Sequence, residues 1–162
     1  MEILTDMVIT VSNPNKDNQQ KLEQICLTTM QHITHANRVS LWEFNKDKSE
    51  IVCLMCVAGK EHIFTSGVRL KKTDYSEYFN AILKDQVLVA SDARNHHATK
   101  SFNKNYFEPN DIYSLFDYIY HEDFEPRGII CCESVGKAIE WVESEQHILR
   151  KIAGITSMFF KL

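Results

Sequence analysis

Glycine is scarce in this chain, 5 residues in 162. A loop that cradles phosphate needs backbone N–H groups brought close to the ligand, which glycine allows and larger residues obstruct. Such a loop is hard to build here. The sequence also lacks the G-x-G-x-x-G pattern of dinucleotide sites, the Walker phosphate loop, the H-E-x-x-H pair of zinc peptidases and the G-x-S-x-G elbow of hydrolases. With no such frame around a nucleophile or base, no enzymatic activity is expected. No apolar run approaches the roughly 20 residues that span a bilayer, and the first residues lack the basic flank and apolar stretch of a signal peptide. A cytoplasmic location is expected. The 18 basic residues are scattered apart from Arg69, Lys71 and Lys72, and the net charge is −4. Nucleic acid and anionic membrane are therefore not expected as partners.

What is present is the content of one globular domain, 44% apolar and 25% charged. Cysteines at 26, 53, 56, 131 and 132 sit in apolar surroundings. In a reducing compartment they read as free, buried, small apolar residues. Cys53 and Cys56 form a C-x-x-C pair, but they fall inside an apolar run that reads as a strand. Residues three apart on a strand point to opposite faces, so a shared zinc ion is disfavoured; Cys131 and Cys132 meet the same objection. No metal site is assigned.

Residues 1–16 read as a leader, with a turn at Asn13-Pro14-Asn15 taken as a start signal for a helix over 17–36. Leu22, Ile25, Cys26, Met30 and Ile33 form that helix's apolar face. Residues 38–44 and 51–57 read as a hairpin, and 63–70 as a short strand. Asp74 to Glu77 fits a capping box that opens a second helix, whose stripe is Tyr75, Tyr78, Phe79, Ile82 and Leu83. A strand at 87–90 is followed by a polar, aromatic, irregular stretch over 91–109, two further strands at 113–121 and 128–133, and a final helix over 143–160. That helix shows no stop signal before the sequence given ends. Long irregular stretches in compact domains are often functional.

One ordered series runs through the middle of the chain: Ser66-Gly67, Asp74-Tyr75, Tyr78-Phe79, Ser91-Asp92-Ala93-Arg94, Thr99, Phe102, Tyr106, Pro109, Ser114-Leu115, Asp117, Gly128 and Cys132-Glu133. On these residues the chain resembles the GAF domain of bacterial signalling proteins, of the kind found with sensor histidine kinases and diguanylate cyclases, over residues 17–160. The resemblance implies an α+β fold, a single domain over 17–162, with a central antiparallel sheet, terminal helices on one face and a pocket-covering segment on the other. It also implies a regulatory sensor of two-component and related systems. Such a module binds a small molecule and signals through its terminal helices to an output domain outside this chain.

If there is a pocket, the resemblance places it between the sheet and residues 91–113, lined by Asp92, Arg94, His97, Phe102, Tyr106, Asp117 and Tyr118. Asp117 sits mid-strand, where a buried carboxylate needs a partner or a ligand; Arg94 is one such partner, and a purely structural network is equally open. The positions matching the NKFDE signature of cyclic-nucleotide-binding relatives hold Glu133-Ser134, Trp141 and Glu145-Gln146, which speaks against that ligand. No cysteine occurs between 57 and 130, which excludes covalent bilin attachment in the pocket segment. His96 and His97 lie where a haem ligand would, but adjacent histidines in a polar loop read as solvated. The ligand and any cofactor stay unassigned. The alternative reading is a ligand-free homodimerisation module, with Leu22, Ile25, Ile33, Ile148, Ile152, Ile155 and Phe159 in a helical bundle. A cysteine-using methionine sulfoxide reductase on the same scaffold is a third option.

Overall fold

The computed structural model describes residues 4–161. Seven strands form one antiparallel sheet: β1 (Arg38–Phe44), β2 (Glu50–Ala58), β3 (Ile63–Thr65), β4 (Arg69–Lys71), β5 (Val87–Ala90), β6 (Ile112–Glu122) and β7 (Glu125–Val135). They lie in the order β3-β2-β1-β7-β6-β5, with β4 also paired to β2. Four helices accompany them: α1 (Thr5–Ser12), α2 (Asn18–His32), α3 (Ser76–Asp85) and α4 (Glu143–Phe159).

Strand periodicity sorts the core into two layers, because successive side chains leave opposite faces. On one face Val39, Leu41, Phe116, Tyr120, Ile130 and Cys132 pack against α1, α2 and α4. On the other, Trp42, Phe44, Leu115, Ile119, Ile129 and Cys131 meet α3 and the segment after β5. The terminal helices and the middle segment thus cover opposite faces, as the sequence led us to expect.

β2 departs from simple alternation. Leu41 pairs with Met55 while Trp42 pairs with Cys53, so Leu54 is the extra residue of a bulge. The bulge flips the parity of everything after it, and both Cys53 and Cys56 end up on the α3 face. The expectation that this pair faces opposite ways is therefore corrected. Cys131 and Cys132 do divide between the two faces. The apolar stretch read as one short strand at 63–70 is two, broken at residues 66–68, where Gly67 takes φ +96. That break lets Gly67 N donate to Cys53 O at 2.9 Å and Val68 O accept from Cys53 N at 2.8 Å beside the bulge.

Three helix boundaries also differ. The stretch read as a leader contains α1, whose Met7 and Val11 are fully buried, so the core reaches back before residue 17. Pro14 lies in the turn between α1 and α2, and the start signal is Asp17, whose side chain accepts from Gln20 N at 2.8 Å while Gln20 returns a bond to Asp17 N. The expected box at Asp74 does not form. Tyr75 is the cap residue and makes no side-chain capping bond; its ring stacks on Phe102 at 4.3 Å, which sets how the chain enters α3. α4 ends at Phe159, since Phe160 turns extended and buries its ring against Tyr120.

Candidate functional site

On the face opposite the terminal helices, β6 and β7 place two carboxylates side by side. Asp117 pairs in register with Cys131, and Leu115 with Glu133, so Asp117 and Glu133 are diagonal neighbours on one face. They are 1% and 0% exposed. Glu133 Oε1 accepts from Arg38 Nε of β1 at 3.0 Å and from the Tyr106 hydroxyl at 3.3 Å. Asp117 Oδ2 accepts from the Tyr78 hydroxyl of α3. The second oxygens, Asp117 Oδ1 and Glu133 Oε2, have no hydrogen-bond partner among the described residues. A buried acceptor left unpaired costs about 1–3 kcal/mol, and more when charged.

Both oxygens belong to residues lining one cavity of about 20 Å³, roughly the room of one water molecule. Trp42, Phe102, Tyr106 and Cys131 share its wall. Its roof is the segment between β5 and β6. Phe102 ends a 3₁₀ turn, Lys100–Phe102, and a π-helical turn, Asn103–Phe107, follows directly. Phe102 stacks on Tyr75 and meets Tyr78 edge-on at 5.0 Å, which fills the space above the carboxylates. The segment is held mostly by itself: Thr99 Oγ1 donates to Ala93 O at 2.6 Å and Asn103 Nδ2 to Arg94 O at 2.8 Å. Its side-chain ties to the sheet include the long Tyr106–Glu133 bond and an Arg38–Asn110 bond of 3.2 Å.

Electrostatics follow from burial. Desolvation pushes the Asp117 carboxyl up to about 8, with Cys131 and Tyr78 pulling it back and Glu133 adding to the rise. Glu133 is likewise raised by burial, partly offset by Arg38 and Tyr106. Burial opposes the charge on Arg38, but Tyr106 and Glu133 more than compensate, so it stays cationic. The thiols are held protonated: burial pushes Cys53 up to about 12 and raises Cys131 well above its ordinary value. Scarce thiolate means weak nucleophilicity, which argues against cysteine-based reductase chemistry.

Of the seven residues expected to line the pocket, three meet there: Phe102, Tyr106 and Asp117. Tyr118 does not, because it follows Asp117 on the strand and packs on the helical face. Asp92 and His97 are exposed; Asp92 accepts from Asn95 and His97 stacks on His96 at 4.6 Å. Arg94 is not the partner of Asp117. It donates to Ile112 O at 2.8 Å and lies 3.9 Å from the Tyr113 ring, at the segment's outer edge. The residues missed as partners are Tyr78, already recognised as core, and Arg38, whose contact with Glu133 spans 95 positions. Larger hollows lie on the helical side, including one of about 650 Å³ beside Phe124 and Met158. They are open to solvent, whereas the small cavity is lined by both residues that carry unpaired carboxylate oxygens, so we place the candidate site there. No cluster of three or more metal-ligating side chains occurs among the described residues, and no helix there is long and apolar enough to cross a membrane.

The chain has the GAF fold. Among solved structures it matches the GAF domain of a phosphoenolpyruvate-protein phosphotransferase from Coxiella burnetii with a TM-score of 0.73 at 18% identity, over 98% of this chain and 90% of that one. A far-red cyanobacteriochrome photoreceptor matches with a TM-score of 0.74 at 12% identity, over 97% and 91%. The free methionine-R-sulfoxide reductase of Neisseria meningitidis, solved with its substrate, matches with a TM-score of 0.71 at 15% identity, over 98% and 86%. At such identities the likeness is one of fold. No protein-family profile matches the sequence, and no curated protein matches it.

Proposed function

We propose that this chain is a regulatory sensor module that binds a small molecule between the sheet and the segment over residues 91–111. The observation that carries this reading is the pair of buried carboxylates, each with one unpaired oxygen, that line one small cavity. Their cost is retained in a fold whose other face is well packed, which is what a site awaiting a partner looks like. Ligand entry requires the segment to lift, because the space now present has room for about one water molecule. Lifting would alter Arg38 and Tyr106, and β1 and β7 carry the change to α2 and α4 on the far face. The readout then passes to a partner or an output domain.

Native mass spectrometry of the protein purified from cells, at low and high collision energy, tests this reading. The expected result is release of a defined small molecule, and its absence from a folded Asp117→Ala variant. A wild-type protein that carries nothing, with a variant that only loses stability, returns the carboxylates to a structural role.

A second reading is homodimerisation through the terminal helices. The bundle expected from the sequence needs correction, because Leu22, Ile25, Ile33 and Ile152 are buried within the monomer. What favours pairing is a different surface. Ile9 is 59% and Met158 66% exposed, beside a hollow of about 520 Å³ shared with Val8 and Ile155 between α1 and α4. Sedimentation velocity of wild type and Met158→Lys checks it: a dimer that the variant splits supports this surface, and a monomer at all concentrations removes the reading.

A further inference from the structure

We infer that the cavity between Asp117 and Glu133 takes a small organic cation, a primary ammonium on an apolar stem, whose N–H groups supply the partners that the two carboxylates lack. This deepens the sensor reading and rests on it.

The first argument is the donor count. Once Asp117 has given up its proton, the cavity wall offers free acceptors and no free strong donor. The Tyr78 and Tyr106 hydroxyls are already spent on Asp117 and Glu133, and Trp42 Nε1 donates to Ser40 Oγ at 2.7 Å. The remaining donor on the wall, the Cys131 thiol, is weak and already leans on the two acids. A complementary ligand brings donors and no acceptor at this end, which describes an ammonium with its three N–H groups. A phosphate or carboxylate would present lone pairs to lone pairs.

The second argument is charge. Two carboxylates face one guanidinium, and Arg38 is committed to Glu133 Oε1 and Asn110. With both acids ionised the site is one positive charge short, and an ammonium closes that deficit. A buried charge is tolerated when paired and hydrogen-bonded. The third argument is the remaining wall. Trp42, Phe102 and Tyr106 offer aromatic faces and edges, surfaces suited to a cation and to an apolar stem. Phe102 occupies the stem's place in the closed state, so binding displaces it together with its turn.

At neutral pH the closed site holds a proton on Asp117, which the incoming cation replaces. The groups facing Asp117 are Tyr78 of α3 and Cys131 and Glu133 of β7, with Tyr106 of the segment and Arg38 of β1 reaching it through Glu133. Tyr78, Tyr106 and Cys131 are all raised well above their ordinary values and stay neutral across this range. Ammonium affinity therefore rises with pH toward pH 8, approaching about tenfold per pH unit below it.

The test is a titration of the whole chain with ethylammonium and benzylammonium chloride, against benzyl alcohol and sodium benzoate at matched ionic strength, read by amide chemical shifts. The expected result is saturable shifts over residues 99–117 with the two ammonium ions alone. They should be tighter at pH 8 than at pH 6, and at least tenfold weaker in Asp117→Asn. Glu133→Gln, with folding judged from its own spectrum, is the second variant and weakens binding in the same direction. Equal binding of the alcohol or benzoate, or no saturable shift with either amine, overturns the inference; so does unchanged amine binding in both variants. Mass spectrometry of cell-derived protein separates the two levels. A released neutral or anionic molecule leaves the sensor reading standing while the cation falls. An empty protein that also ignores all four probes removes both.

Discussion

The two faces of the sheet are built from alternate residues of the same strands, yet they solve burial differently. Under α1, α2 and α4 the strands contribute Val39, Leu41, Phe116, Ile130 and Cys132, all fully buried. Most nearby polar groups are paired there: Tyr120 donates to Trp42 O at 2.9 Å, and Thr29 and Thr156 donate to helix carbonyls, with the neutral Trp141 Nε1 the exception. Under the segment the same strands contribute Asp117, Cys131 and Glu133, and two carboxylate oxygens go unpaired. The difference teaches where stability and responsiveness reside. A closely packed apolar layer gains little from rearranging. A layer holding uncompensated carboxylates gains from any partner that reaches them.

The largest effect should come from breaking the tightly packed side at Gly128. A Cβ there would lie 1.9 Å from Trp42 O and within 2.4 Å of the Tyr120 ring, and the first of these is backbone that cannot step aside. Gly128→Ala should cost about 4 kcal/mol or prevent folding, checked by urea unfolding.

Next comes the pH dependence of the pocket side. The folded chain holds the Asp117 proton up to about pH 8, whereas the unfolded chain releases it near 3.8. The folded state thus binds more protons, and stability falls as pH rises through that window, by on the order of 5 kcal/mol in all. Asp117→Asn should remove the Asp117 share of this slope, leaving the variant the more stable protein at pH 8. Denaturant midpoints measured from pH 5 to pH 8 decide it; parallel curves for the two proteins would contradict the assignment.

A smaller loss is expected at the helical end. Glu145, at the start of α4, accepts from His35 N at 2.9 Å and Val142 N at 3.0 Å and meets His35 Nδ1 at 2.9 Å. Glu145→Ala should cost about 2 kcal/mol by orphaning those groups, read in the same unfolding assay. The smallest effect belongs to His97→Ala. This exposed residue lies outside the cavity, so the substitution should change stability by less than about 0.5 kcal/mol and leave amine titrations unaltered.

Periodicity made most of the fold legible. While the division of faces came from the family resemblance, the strands at 38–44 and 51–57 and the order of elements follow from apolar spacing that local sequence carries. So did Asp117, because an acid centred in an apolar strand has no ordinary way to be solvated. The bulge at Leu54 was not legible: neither glycine nor proline marks it, and it arises from how the loop at 66–68 pairs with Cys53. α1 was overlooked although Leu4, Met7, Val8 and Val11 have helical spacing, because the turn at Pro14 drew the boundary too late. The partners in the site were illegible for a different reason. Arg38 with Glu133, and Tyr78 with Asp117, meet only once distant strands and α3 are assembled. Arg94, named from the sequence as a partner for Asp117, instead bonds Ile112 O and holds the segment's rim.

Amide hydrogen exchange resolved along the chain tests the contrast between the faces most directly. The account predicts that the segment over residues 99–111 opens by local motion well below the cost of global unfolding, while α2 and α4 exchange only when the whole domain unfolds. Equal protection of the segment and of α4 would contradict it, since a roof that never lifts alone cannot admit a ligand to the carboxylates.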